Sequence, residues 1–177
     1  YGCAINQVNL GEAHYLLKDP VKAEKHMDKS IEIARSIDAK RLINDFCLRK
    51  AVFLYEQQRY VEAELILSEI KDSLQEQHHF YYKQISCLVG FFTSKQALTD
   101  RIRFFLDEIN SLLTEHKEED PEDIADIYYR AWQLLVANQG MTDYAVEIAE
   151  IKEKAFNFYA EFAAQSRYVI FTNRLEV

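Results

Sequence analysis

The chain of 177 residues is 49% hydrophobic and 13% aromatic, which is enough apolar material for a true core and argues against disorder. Its four glycines and two prolines are too few for the turns of an all-β fold, so the composition favours long helices joined by short loops. A net charge of −8 argues against general electrostatic binding to nucleic acid or anionic lipid, because such binding needs a basic face.

Two helices are predicted at the start of the chain, over residues 3–17 and 20–36. In the first of them, Leu10, Leu16 and Leu17 recur at helical spacing, and we expect them to share its packing face. The second carries its own apolar stripe. Neither helix can bury its apolar side alone, so we expect the pair to be a packing unit that needs neighbours.

The Asp19-Pro20 dipeptide separates these two helices. Pro20 suits the first position of a helix, where no amide donor is needed, and the Asp19 carboxylate can cap the helix that follows. Gly11 and Ala23 are the small residues in the facing helices, and small side chains allow two backbones to approach closely. The sequence therefore predicts a tight helical hairpin.

A second pair of helices is predicted from Asp38, as a helix cap, to about residue 57 and then from about residue 60 to 74. Its apolar pattern matches that of the first pair in both helices and in the turn. The residues at matching positions lie 40 apart: Gly11 and Ala51, Ala23 and Ala63, Met27 and Leu67, Ala34 and Leu74.

Two more pairs follow with drifting offsets of 39 to 42 residues. The third has helices at 79–95 and from Thr99 onward, and the fourth opens at Asp120-Pro121, which again combines a capping residue with proline. Residues 165–177 are rich in β-branched and aromatic residues, but a lone strand has no partner in a helical array. We therefore expect a closing helix or a linker there.

The first hairpin resembles the tetratricopeptide repeat (TPR) in its Leu10-Gly11 pair, its turn, Ala23, Met27 and Ser30. The resemblance implies an all-α, right-handed superhelical array of about four TPR-like hairpins plus a C-terminal helix or tail. It also implies one repeat domain over 1–177. Its units are residues 3–37, 38–77, 79–116 and 120–164, with a tail at 165–177.

The periods exceed the 34 residues typical of the TPR, so the chain is similar to the long-helix variants of bacterial regulators and signalling proteins. In that geometry the first helix of each pair lines a groove that binds a protein or peptide partner. One TPR subfamily binds chaperone tails through Lys and Asn, but Val8 and Glu12 stand at those positions, so we do not expect that activity. The predicted groove residues are Glu12, Tyr15, Asp45, Arg49, Tyr55, Gln84, Phe91, Tyr128 and Trp132. For the aromatic members Phe91, Tyr128 and Trp132, packing between repeats is the alternative interpretation.

No catalytic motif occurs, so we expect no enzyme and no cofactor. The His78-His79 pair does not predict a metal site, because adjacent histidines on a helix point about 100° apart. The three cysteines are widely spaced, which indicates reduced thiols in the cytoplasm. No apolar run reaches the ~20 residues of a membrane span. The chain opens at Tyr1, so we expect it to be part of a longer protein.

The leading functional prediction is a non-catalytic protein- or peptide-binding module in the sensory or scaffolding region of a bacterial regulatory protein. The alternative is self-association through the last helix, where Phe158, Tyr159 and Phe162 place apolar residues on more than one side. A small-ligand sensor is the weaker third interpretation.

Overall fold

A computed structural model describes residues 1–74, 79–115, 121–137 and 145–165; within these ranges it describes the backbone alone at 113, 121–126, 147, 148, 155, 158, 159 and 161–165. The prediction of an all-α fold is confirmed, since no strand occurs among the described residues. Eight helices are present there: α1 (Gly2–Leu16), α2 (Pro20–Ser36), α3 (Lys40–Glu56), α4 (Tyr60–Ile70), α5 (His79–Thr93), α6 (Leu98–Glu115), α7 (Pro121–Ala137) and α8 (Ala145–Gln165).

The chain divides into two compact units, Tyr1–Ser94 and Lys95–Val177. Unit 1 contains α1 to α5, and unit 2 contains α6 to α8. The two helices of the third predicted hairpin, α5 and α6, therefore belong to different units. The right-handed superhelix expected for the whole chain stays a prediction.

Within unit 1, consecutive helices pack in chain order, and α3 also packs against α5. Tyr15 of α1 meets Phe53 of α3 ring to edge, with 5.6 Å between the ring centroids. On the other side, Arg35 of α2 forms an ion pair with Glu69 of α4 at 2.6 Å. The first helices of the hairpins thus form one layer and the second helices another. In unit 2, α7 packs against both α6 and α8.

The turns after α1 and α3 share one backbone geometry, 40 residues apart. Lys18 and Gln58 follow the two helix ends with a φ of 60° each, in the left-handed region. In both turns this residue's amide donates to the carbonyl oxygen three residues back at 2.9 Å, and the next amide donates to the carbonyl five residues back, also at 2.9 Å. These are the two hydrogen bonds of a Schellman motif, which also ends α2, where the Asp38 amide donates to the Arg35 carbonyl oxygen at 3.1 Å and the Ala39 amide to the Ala34 carbonyl oxygen at 3.0 Å.

The predicted helix caps have mixed outcomes. Asp19 caps α2 as expected, because its Oδ1 atom accepts from the Lys22 amide at 3.2 Å. Asp38 does not cap α3; it adopts a φ of 47° and ends α2 instead. The residue that precedes α3 is Ala39, which has no side chain able to accept a hydrogen bond. Asp38 belongs to the turn that ends α2, and α3 starts only at Lys40.

The packed face of α1 differs from the predicted one. Leu10, Leu16 and Leu17 are 44%, 77% and 75% exposed, whereas the small residues Val8 and Gly11 are buried. The reason is the close approach of α2. A Cβ atom built on Gly11 would lie only 3.1 Å from the Ala23 carbonyl oxygen, so large side chains cannot occupy this side of α1. The predicted contact between Gly11 and Ala23 is confirmed.

Helix α4 ends four residues before its predicted end. A 3-10 turn at Lys71–Ser73 follows Ile70. There the buried Asn44 side chain donates to the Ser73 carbonyl oxygen at 2.7 Å, and the Ser73 hydroxyl donates to the amide oxygen of Asn44 at 3.0 Å. This pair of hydrogen bonds ties the end of the second hairpin to α3.

Candidate functional site

The surface shared by the first helices of unit 1 carries charged and aromatic side chains. We call it the α1–α3 face and define it by Glu12 and Tyr15 on α1 together with Asp45, Arg49 and Glu56 on α3. Arg49 donates to Glu12 at 2.7 Å across the two helices and to Asp45 at 3.2 Å along its own helix. The structure therefore brings four of the predicted groove residues together with Glu56.

Arg49 lies between two carboxylates on this face. Burial of the guanidinium opposes its charge, but hydrogen bonds and attraction from Glu12 and Asp45 outweigh this and raise the pKa of Arg49 above its ordinary value. The three side chains remain between a third and a half exposed. A partly exposed ion-pair network of this kind contributes little to the stability of the fold. Its charged groups could therefore contact a binding partner.

Tyr15 is held in position from two sides. Its hydroxyl group donates to the Glu56 carboxylate, and its ring lies nearly perpendicular to the buried Phe53 ring, with 5.6 Å between the centroids. The ring itself is half-buried. A fixed aromatic ring with a carboxylate at its hydroxyl end can offer a partner both apolar contact and charge selection.

Tyr55, the residue 40 positions after Tyr15, lies in a cluster of three half-buried rings. Tyr60 and Phe92 stack face to face with 4.0 Å between centroids, and Tyr55 is tilted against them at 5.7 and 6.1 Å. Burial raises the pKa of Tyr60 above its usual value. This cluster joins α3, α4 and α5 and leaves part of each ring open to solvent.

Four predicted groove residues are core residues in the structure. Gln84 and Phe91 in unit 1 are 7% and 4% exposed, and Tyr128 and Trp132 in unit 2 are 9% and 8% exposed. Burial raises the pKa of Tyr128. Trp132 packs against the Phe156 ring edge to face at 5.3 Å. None of the four presents an open surface as the structure stands, because neighbouring helices cover them.

Several predictions concern residues outside those the structure describes. The side chains of Phe158, Tyr159 and Phe162, on which self-association depends, are among them. His78 and residues 166–177 of the predicted tail are also outside. His79 begins α5 and is exposed. Among the described residues, no group of three metal-ligating side chains lies close enough to hold an ion.

Glu56 and Phe92 were not predicted as site residues from the sequence. Glu56 lies seven residues, or two helical turns, after Arg49, so it falls on the same side of α3 and could have been assigned to the face. Phe92 directly follows the buried Phe91, and only the packing of α5 decides which of these two rings reaches the surface. The pattern of the sequence contains no signal that separates them.

Cys47 and Cys3 differ in how far they are buried. Cys47 is 1% exposed, and this burial raises the pKa of its thiol to about 11, so it is protonated at neutral pH. Cys47 is therefore a packed core residue. Cys3, at the start of α1, is exposed.

Comparisons with known protein families, curated proteins and solved structures find no match to this chain. Within the described helices, none has both the length and the apolar character required to cross a lipid bilayer.

Proposed function

We propose that this chain is a non-catalytic, TPR-like module that binds a protein or peptide segment, and that the α1–α3 face of unit 1 is where the segment binds. The single observation that carries the proposal is the composition of this face. Arg49, held between Glu12 and Asp45, shares this face with Tyr15, whose hydroxyl group is bonded to Glu56.

The arrangement suits recognition because its polar groups are already oriented. Side chains that are fixed before binding lose less conformational entropy when a partner arrives. Arg and Tyr are also the residue types that most often dominate interface energies. The 40-residue offset between the first two hairpins adds support for a TPR-like repeat, since the family builds its partner-binding surface from first helices that recur at a fixed offset.

We further propose that the chain acts in the cytoplasm, as the sensory or scaffolding region of a longer regulatory protein. The motivation is the resemblance of the first two hairpins to the long-helix TPR arrays. Nucleic acid and lipid are not expected partners, because the chain carries a net charge of −8.

The test uses a phage-displayed library of random peptides selected on the whole chain, followed by titration of the enriched peptides. Arg49→Ala should weaken binding roughly tenfold or more, as expected for a central arginine of an interface. The matched control is Arg35→Ala, which removes a similarly exposed arginine and its ion pair to Glu69 in the opposite layer. Equal binding by both variants, with circular dichroism unchanged, would exclude the α1–α3 face as the binding surface.

A further inference from the structure

The exposed side of α1 carries no charge. Eight residues of α1 are exposed, and none of them is charged: Gly2, Cys3, Ile5, Asn6, Asn9, Leu10, Ala13 and Leu16. On α2, by contrast, six of the nine exposed residues are charged: Lys22, Lys25, Asp28, Lys29, Glu32 and Arg35. Charged residues are depleted at the centres of protein interfaces. The exposed side of α1 therefore has the composition of an interface surface.

Five exposed residues form a line along this side of the molecule. Cys3, Asn6, Leu10 and Ala13 lie on α1, and Leu17 directly follows it. They succeed one another at intervals of three and four residues, which is the spacing with which one helix meets another in a coiled coil. We call this line the α1 seam. Leucines supply its apolar contacts, and the small Cys3 and Ala13 allow another backbone to approach closely.

The sequence repeat shows that the fold covers this line where a neighbouring hairpin is present. The five positions 40 residues later on the chain are buried or half-buried: Ile43, Phe46, Lys50, Phe53 and Gln57. The first hairpin lies against them, since Tyr15 meets the Phe53 ring and Asp28 of α2 forms an ion pair with Lys50. The α1 seam is thus the side of the repeat that forms the interface between the first two hairpins.

A second copy of the chain fits the α1 seam better than another hairpin of the same kind. Where α3 presents the Phe53 ring and the Lys50 ammonium group to its neighbour, α1 has Ala13 and Leu10. The ring and the cation of that contact are therefore missing. A twofold interface brings each side chain close to its own copy, so a charged surface would repel itself. The α1 seam has no charge, and the Asn6 amide carries both a donor and an acceptor.

We propose that two copies of the chain associate through α1, with the twofold axis close to Leu10, the middle residue of the α1 seam. A 15-residue helix spans only about 22 Å, so the contact buries less than the roughly 800 Å² per partner of a stable interface. The dimer therefore forms reversibly and dissociates on dilution.

This contact leaves the proposed binding surface open. At about 100° per residue, Glu12 and Tyr15 lie ~160° and ~140° around α1 from Leu10, so the α1–α3 face points away from the contact. The dimer presents two such faces, and a partner with two binding segments gains affinity from engaging both.

Sedimentation velocity over a dilution series of the whole chain, with a reducing agent present, measures the association. The chain should sediment as a concentration-dependent mixture of monomer and dimer. Leu10→Glu places two like charges across the twofold axis and should weaken the association roughly tenfold or more. The matched control Leu65→Glu makes the same change at an exposed leucine of α4 and should leave the association unchanged. Both variants should keep the parent circular dichroism spectrum, because both leucines are exposed.

Cross-linking locates the contact independently. In a Cys3→Ser background, Leu10→Cys should give a covalent dimer with a short bis-maleimide reagent, whereas Leu65→Cys should remain largely monomeric. A chain that stays monomeric throughout the dilution series would overturn the proposal, and so would a dimer that Leu10→Glu does not weaken. Neither outcome affects the proposed peptide-binding function, which the Arg49→Ala titration tests separately.

Discussion

The closest helix contact in unit 1 makes a sharp prediction about Gly11. Replacing this residue with alanine would place a Cβ atom 2.8 Å from Cγ of Met27, 3.1 Å from the Ala23 carbonyl oxygen and 3.3 Å from the Met27 amide nitrogen. Two of these three atoms belong to the α2 backbone and cannot move unless the whole helix shifts. The substitution should therefore push α1 and α2 apart.

The expected magnitude follows from two opposing effects. Alanine is better than glycine inside a helix by about 1 kcal/mol, which favours the variant. Overpacking a close contact costs about 1–3 kcal/mol, which opposes it. We expect the second effect to win, because the backbone of α2 blocks relaxation. Gly11→Ala should lower the free energy of unfolding by about 1 kcal/mol.

Gly90 provides the matched control in the same unit. It lies inside α5, and a Cβ atom built there would meet nothing within 4 Å. Gly90→Ala should therefore raise the free energy of unfolding by about 0.5–1 kcal/mol, through helix propensity alone.

Urea denaturation followed by far-UV circular dichroism measures both variants against the parent chain. The predicted result is a lower free energy of unfolding for Gly11→Ala and a higher one for Gly90→Ala. If Gly11→Ala stabilises the protein as much as Gly90→Ala does, then α1 and α2 are not in the close contact described above.

Three further predictions concern buried and strained positions. Ala63→Asp should cost several kcal/mol, because Ala63 is fully buried and the new charge would have no partner; an unchanged melting curve would contradict the repeat register. Gln58→Gly should raise the free energy of unfolding by up to about 1 kcal/mol, because glycine tolerates the φ of 60° at this turn; a loss of stability on denaturation would contradict the left-handed geometry. Burial raises the thiol pKa of Cys47 from 9.0 to about 11. The contribution of the neutral thiol to the free energy of unfolding is therefore complete below pH 9 and is lost as the pH rises to about 11, by at most about 2–3 kcal/mol. In Cys47→Ala this part of the alkaline loss should vanish, which urea titrations at several pH values would detect.

Much of the fold could be predicted from local sequence signals. The Asp19-Pro20 turn marks the boundary between α1 and α2, and Asp19 caps the second helix as its side-chain chemistry requires. The 40-residue offset between Ala23 and Ala63 also separates two turns that contain the same pair of backbone hydrogen bonds. These features depend on a few neighbouring residues or on a simple period, so they are visible without any tertiary structure.

The candidate site was only partly predictable. Glu12, Tyr15, Asp45 and Arg49 meet on one face as expected, because helical spacing and repeat offset determine which residues share a side. The adjacent residues Phe91 and Phe92 show what the sequence could not predict, because Phe91 is buried and Phe92 is only half-buried. Both are equally apolar, so composition cannot distinguish them.

The sequence by itself determined that the chain is helical, where α2 begins, and that two hairpins repeat. Only the tertiary structure decided which side of α1 is covered. Leu16, the last residue of α1, and Leu17, which follows it, are large and apolar yet stay exposed, whereas the side with Gly11 is buried. The physical reason is that a helical period groups residues into faces, whereas the distance to the neighbouring helix decides which face can be packed.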